Sequence, residues 1–339
     1  MCRCCTSDAH CLAPPNGTAD VRNRTVNRAK LDLWPVDKVV LVYFAIVGSI
    51  EAIWFRQIPD ATFYLMLHAV QATLIVLGAR SPIRASLPTR AIWVFRNWYP
   101  LLFVAWCYRE MANLIAAVRH ARFDQALASL DYSCWGAYPT VWLERIYSPL
   151  LTESLQLVYA LFIPMTLLVP AIVWYRQRYA DFRYIAFLLS LGYLVSYLGY
   201  LSVPVRGPRF FLDHLQHTPL QGLWFFDPIQ TLLNNLEHDY ADCFPSGHTE
   251  LTIITWWLSR AVSHKLFKAY SLYTAAILFA TVYLRYHYTA DLPAGVVVAL
   301  VLVLAGPRLY RGLSREGERL AIDDVVINGS KLDYFPVQK

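Results

Sequence analysis

Apolar positions along this chain gather into long uninterrupted blocks instead of alternating with polar ones, and polar residues collect between the blocks. Blocks of about 20 residues are long enough to cross the roughly 30 Å hydrocarbon layer as helices. Eight spans are predicted, at Val39–Phe55, Ala61–Ala79, Asn97–Val118, Ser154–Tyr175, Phe182–Val203, Thr249–Val262, Ala269–Leu284 and Ala290–Leu304. The third contains Pro100 and holds Arg109 and Glu110 inside the membrane; the sixth is short unless its helix begins at Ser246. The fold class is therefore all-α, a polytopic membrane helix bundle of about eight transmembrane helices.

Composition agrees. Of 339 residues 57% are hydrophobic and only 16% charged, against about a quarter charged in soluble domains. Eleven Trp and twenty-two Tyr suit the aromatic belts at membrane interfaces. A soluble protein with an oversized core is excluded.

Charge sets the orientation, because cytoplasmic loops are enriched in Lys and Arg. With the N-terminus inside, the inner segments hold Arg22, Lys38, Arg84, Arg176, Lys265 and Arg308 among others. The outer segments hold only Arg56, Arg119, Arg122, Arg145, Arg206, Arg209 and Arg285, a bias of about threefold. Both termini are expected in the cytoplasm, and the net charge of +6 belongs to the inner membrane surface, not to nucleic-acid binding. No apolar run precedes residue 31, so the first span is expected to direct insertion. Met1–Lys30 reads as a disordered tail, and Cys2, Cys4, Cys5 and Cys11 within it match no zinc spacing. Cys134 and Cys243 share the outer side, where a disulfide between them is a possibility set by topology alone.

Three clusters carry the chemistry, all on the outer side. The first is Val203-Pro-Val-Arg206-Gly-Pro-Arg209, leaving the fifth span; the second is Cys243-Phe-Pro-Ser246-Gly247-His248-Thr249, opening the sixth; the third is Arg285-Tyr-His287-Tyr-Thr-Ala-Asp291, between the seventh and eighth. Ser246 and Gly247 at a helix start leave backbone N–H groups without intrahelical partners, an anion site. Ser246 also reads as a plain N-cap. His248, just inside the helix, can donate a proton to an oxygen leaving phosphorus. His287 and Asp291 are four apart and can share a face, so that the carboxylate fixes the tautomer and frees the other nitrogen to attack. Arg206, Arg209 and Arg285 offer cations for phosphate oxygens. The spans between His248 and His287 form a hairpin that returns both to one membrane face. Arg109 and Glu110 are candidates for headgroup recognition, with an internal ion pair as the equal alternative.

Arg-Gly-Pro-Arg, Pro-Ser-Gly-His and Arg-Tyr-His-Tyr-x-x-Asp resemble the three signature motifs of the type 2 phosphatidic acid phosphatase superfamily. The Cys-Phe-Pro-Ser-Gly-His-Thr and His-Tyr-Thr-x-Asp runs look more like its inositolphosphotransferase branch, with inositol phosphorylceramide and sphingomyelin synthases. The resemblance implies that His287 is the phosphorylated nucleophile, His248 the general acid and Asp291 the residue orienting the nucleophile. It also implies phosphate contacts from Arg209, Ser246, Gly247 and Arg285, and no metal or other cofactor. The sequence departs from the family pattern in having no Lys before the first cluster and in placing Ala280 and Thr281 where the third motif has Ser-Arg. On this basis the chain divides into a cytoplasmic tail over 1–36, two additional spans over 37–96, a six-span core over 97–306 and a second cytoplasmic tail over 307–339.

The expected function is an integral membrane lipid phosphatase or phosphotransferase that acts through a phosphohistidine on a lipid phosphate or phosphodiester at the extracytoplasmic face. Its partners are that lipid and the bilayer. Transfer of a phospho-headgroup to a lipid hydroxyl, as in inositol phosphorylceramide synthases, is the alternative. A transporter or flippase fits less well, since it needs polar groups at mid-membrane and the histidines lie at span ends.

Overall fold

The computed structural model describes residues 31–80, 87–119, 121–237 and 241–314. Of the tails expected over 1–36 and 307–339, residues 1–30 and 315–339 lie outside the described residues, while Pro35 and Val36 open the first helix and residues 307–313 continue the last one. The described residues form helices and no strand; the sole β feature is an isolated parallel bridge between Val205 and Asp242.

In chain order the helices are α1 (Pro35–Ile53), α2 (Ala61–Arg80), α3 (Leu87–Val118), α4 (Asp124–Trp135), α5 (Pro139–Trp142), α6 (Pro149–Ala160), α7 (Phe162–Tyr175), α8 (Tyr179–Ser202), α9 (Pro208–Phe211), α10 (Phe226–Glu237), α11 (Gly247–Ser259), α12 (His264–Tyr283) and α13 (Asp291–Leu313). Each of the eight apolar blocks is helical. Five helices, α2, α3, α8, α12 and α13, are long and apolar enough to cross a membrane, and the chain is built as a multi-pass membrane protein. The block predicted as one span at Ser154–Tyr175 is two helices, α6 and α7, bent by 44°, and together they pass the same test. Pro164 explains the break: it has no N–H to give the carbonyl of Ala160, and its ring crowds that carbonyl, so α6 stops there. Of the remaining two blocks, α1 is 19 residues long and carries Asp37, Lys38 and Glu51, and α11 has only 13 residues. At 1.5 Å per residue α11 is about 20 Å long.

α8 is the central helix. It packs against α1, α3, α7, α11 and α13, and most of its apolar stretch is buried, whereas the outer helices leave Met66, Leu272 and Leu304 exposed on the bundle's surface. An exposed apolar shell around a buried centre is what a bilayer solvent permits. α3 begins ten residues earlier than expected, so Arg96 sits inside a helix and not in a loop. It is buried, paired with Asp37 of α1, to which Tyr99 also donates, and its guanidinium lies 4.1 Å above the Trp34 ring. This network pins α1 to α3.

Two close approaches set the geometry of the site's end of the bundle. α11 and α13 touch at Gly295, where a Cβ would come within 2.6 Å of the Ser246 carbonyl oxygen and 2.9 Å of the Thr249 Cβ. Beyond α8, Gly207 has φ +98°, and a Cβ there would meet Cys243 Sγ at 2.6 Å and the Tyr286 oxygen at 2.8 Å. Only glycine suits such a conformation and such crowding.

Candidate active site

The three sequence clusters meet at one end of the bundle. The C-terminal exit of α8, the start of α11 and the α12–α13 connection are joined by main-chain hydrogen bonds. Arg209 N donates to Arg285 O at 3.0 Å, Cys243 N to Val205 O at 3.1 Å and Ser246 N to Asp291 O at 3.4 Å. Apolar residues Leu127, Ala128, Val205, Leu212, Cys243 and Tyr288 pack beneath this junction.

At its centre His287 lies between a carboxylate and a second imidazole. Its Nδ1 is 3.3 Å from Asp291 Oδ2, and its Nε2 is 3.4 Å from His248 Nδ1. Asp291 Oδ2 also accepts from the Tyr288 backbone N–H at 3.0 Å, which holds the carboxylate against the loop. His287 and Asp291 are buried. With Nδ1–H donated to Asp291, the lone pair of Nε2 faces His248. His248 is held by aromatic rings contributed by the α6–α7 bend: Tyr159 stacks on it at 4.6 Å and Phe162 lies at 4.3 Å. Tyr159 stacks in turn on Tyr286 at 4.1 Å, and Arg209 lies 4.9 Å above that ring. The break in the helix thus turns two rings onto the histidine.

Ser246 caps α11: its Oγ accepts from Thr249 N at 3.3 Å and from Thr249 Oγ1 at 3.0 Å. The space beside Gly247 is filled by the hydroxyl of Tyr200, so this glycine is required by helix packing against α8 and not only by a ligand's approach. Arg206 lies over Phe210 at 5.0 Å, and Arg209 donates to Asn234 at 2.9 Å. Arg285 has φ +68° and is buried. It donates to Glu144 at 2.9 Å, to the Thr218 oxygen at 2.7 Å and to Gln216 at 3.0 Å, while its Nε is buried without a hydrogen-bond partner. Most of the guanidinium anticipated for phosphate is therefore engaged with protein groups.

Four acids that drew no notice in the sequence hold the site's loops. Asp124 accepts from the Arg206 and Gly207 backbone N–H groups at 3.1 and 2.9 Å and from the Tyr288 hydroxyl at 3.2 Å. Asp131 accepts from Thr289 N, Thr289 Oγ1 and Ala290 N at 3.0, 2.7 and 2.8 Å. Glu144 accepts from His217 N and Thr218 N as well as from Arg285. Glu153 accepts from four consecutive backbone N–H groups, Leu223 to Phe226, at 2.7–3.3 Å. Asp242, beside Cys243, accepts from the Tyr108 hydroxyl at 2.6 Å. Burial pushes the Asp242 carboxyl above its ordinary range, against the pull of Tyr108, His287 and Arg209. In the stretch where Arg109 and Glu110 stood out, it is thus Tyr108 that reaches this end. Arg109 is exposed, and Glu110 is buried against His68 of α2 at 3.1 Å rather than paired with its neighbour.

Cys134 and Cys243 are not bridged. Cys134 is exposed on α4, and Cys243 is buried with its Sγ donating to the Tyr286 oxygen at 3.1 Å. Cys243, His287 and Asp291 each offer a ligand atom within 4.8 Å of one another. Burial, and then the nearby Asp291, Asp242 and Asp124, push the Cys243 thiol well up.

Comparison with known proteins agrees with this geometry. The profile of the PAP2 superfamily matches residues 125–305, from the start of α4 to within α13 and across both histidines. A PA-phosphatase related-family protein of Dictyostelium discoideum is 31% identical over 121 residues, covering 34% of this chain and 21% of the relative. The match thus spans about a fifth of that relative's length. No solved structure matches. With more than half of its length under the family profile and both histidines inside it, the chain belongs to the PAP2 superfamily, a family of phosphatase-type enzymes.

Proposed function

We propose that this protein is a lipid phosphatase or phosphotransferase that works through a phosphohistidine on His287. The observation that carries the reading is the placement of the His287 ring, with Asp291 on one nitrogen and His248 facing the other. In the first step Nε2 of His287 attacks phosphorus and the N–P bond forms as the bond to the departing oxygen breaks. That oxygen takes its electron pair and a proton from protonated His248, while Asp291 holds Nδ1–H and stabilises the charged ring. In the second step His248 accepts a proton from water or a lipid hydroxyl as that oxygen attacks phosphorus and releases His287. A separation of 3.4 Å is direct ring contact. Attack starts with the reacting atoms about 3–3.5 Å apart and the leaving oxygen beyond phosphorus, so substrate must part the two rings.

Positive charge for the phosphoryl oxygens comes from Arg209 and Arg206, from the unpartnered Nε of Arg285, and from the backbone N–H groups opening α11. A lipid substrate suits the apolar cavity of about 600 Å³ beside the loop, lined by Trp135, Trp142, Phe279, Val282, Thr289 and Leu292. Two of these, Thr289 and Leu292, flank Asp291 closely in sequence, which supports a cavity that borders the loop carrying His287. The charge bias of the loops supports an extracytoplasmic site with both termini cytoplasmic.

The test is turnover by the purified protein in detergent and EDTA, offered phosphatidic acid, an isoprenoid diphosphate, or phosphatidylinositol with ceramide. At least one is turned over, and His287→Ala and His248→Ala abolish it. Unchanged turnover in His287→Ala refutes the mechanism. Release of inorganic phosphate identifies a hydrolase, and a new phospholipid identifies a transferase. For sidedness, a variant retaining Cys134 alone is labelled in sealed cells by a reagent that does not cross membranes; protection of Cys134 there overturns the orientation.

A further inference from the structure

A second buried polar cluster lies away from the histidine pair, where the first three helices meet. Each contributes one residue: Glu51 from α1, His68 from α2 and Glu110 from α3. All three are buried, Glu51 completely. One carboxylate oxygen of each glutamate and one ring nitrogen of His68 lie within 4.8 Å of one another. His68 Nε2 is 3.1 Å from Glu110 Oε2, and the imidazole plane is set by Phe44, stacked on it at 4.6 Å. The rest of the cluster has no hydrogen-bond partner: both oxygens of Glu51, Nδ1 of His68 and Oε1 of Glu110 are buried and unsatisfied.

Such an arrangement is costly as it stands. Buried carboxylates need paired charge or hydrogen bonds, and with both ionised and His68 neutral the cluster carries two negative charges. A protonated His68 cancels only one of them. A proton shared between the two glutamates cancels one of them, and Nδ1 of His68 still has no partner. A divalent cation cancels both and satisfies the free oxygens together. The spacing agrees: Glu51 Oε2 is 3.5 Å from His68 Nδ1, long for a hydrogen bond but near the roughly 3.3 Å between two ligands of a tetrahedral zinc with bonds of about 2.0–2.1 Å.

We infer that Glu51, His68 and Glu110 form a divalent metal site, zinc by its ligand chemistry, that staples α1 and α2 to α3. It serves the assembly of the bundle, not the phosphoryl chemistry, and stands independently of the function proposed above. A cation held by one residue from each helix gives the two N-terminal helices a fixed seat against the rest of the protein.

The full-length protein, purified in detergent with chelator, is dialysed against zinc and then against zinc-free buffer, and its metal content is measured by mass spectrometry. About one zinc per chain is retained by the wild type and by His287→Ala, and none by the double variant Glu51→Gln/His68→Gln. Zinc also raises the thermal midpoint of the first two proteins and not of the third. Cobalt replaces zinc in the wild type as a second measurement that needs no variant to fold: a site of two carboxylates and an imidazole shows ligand-field bands without a thiolate charge-transfer band. Trace zinc only in the wild type, equal zinc in the double variant, or a cobalt spectrum with a thiolate band that vanishes in His287→Ala would each overturn the inference.

Discussion

Asp131 offers the sharpest test of how the site is held. It lies on α4, far in sequence from the loop that carries His287, and its carboxylate accepts from Thr289 N at 3.0 Å, Thr289 Oγ1 at 2.7 Å and Ala290 N at 2.8 Å. Those donors immediately precede Asp291, the first residue of α13. Asp131→Ala removes an acceptor from two backbone N–H groups and a hydroxyl. A buried donor left unsatisfied costs about 1–3 kcal/mol, and because Thr289 and Ala290 are half-buried the low end applies, about 2–3 kcal/mol for the two N–H groups together. The loop relaxes to recover part of that by turning the donors towards solvent, which shifts His287 and Asp291 relative to His248. A displacement near 1 Å lowers turnover about 100-fold. Asp131→Asn retains one acceptor oxygen but turns an amide N–H₂ towards the remaining donors, so it falls between the wild type and Asp131→Ala. The assay is kcat on the lipid that the wild type turns over fastest, alongside the thermal midpoint in the same detergent. If Asp131→Ala keeps kcat within about twofold of wild type and an unchanged midpoint, the loop is positioned by something else and the argument fails.

Gly207→Ala places a Cβ against Cys243 Sγ and the Tyr286 oxygen at φ +98°. The backbone conformation alone costs about 1–3 kcal/mol for a residue with a Cβ, and both stability and turnover fall; a wild-type melting curve refutes the crowding. Glu153→Gln gives up the charge that four N–H groups share. Protease cleavage within Leu223–Phe226 then rises several-fold while the helices stay intact, as mass spectrometry of the fragments reports. Arg96→Leu leaves Asp37 buried without its cation, at a cost of about 3–5 kcal/mol, while the double change Asp37→Leu/Arg96→Leu recovers most of the loss, as thermal melts of the three variants show. For Asp242 the folded carboxyl titrates above its unfolded value, so folding favours the protonated form. Its stabilising contribution is complete below the ordinary Asp range and is lost as pH rises through the raised value. Lowering the pH across that window therefore raises the wild-type midpoint relative to Asp242→Asn; a difference independent of pH contradicts the shift.

What was legible in the sequence is what depends on neighbours in the chain. Helices long enough for a bilayer announce themselves by runs of apolar residues, since lipid forces every backbone polar group to bond within its own segment. The Ser246 cap and the His287–Asp291 pair are likewise local, set by spacings of three and four residues. The hairpin between His248 and His287 is a consequence of span count alone. Tertiary structure decided everything that joins distant segments. Asp124, Asp131, Glu144 and Glu153 look in sequence like ordinary surface acids, and only folding shows that each satisfies loop N–H groups 70 to 160 positions away. Arg285 carries the fork geometry that phosphate needs, yet the same geometry suits Glu144, and burial beside that carboxylate settles which one it meets here. Glu110 was visible as a charge within a span, but its partners, His68 and Glu51, come from other helices. Spacing rules extend over a turn or two of helix; pairing across helices depends on packing angles and depth, which no local pattern encodes.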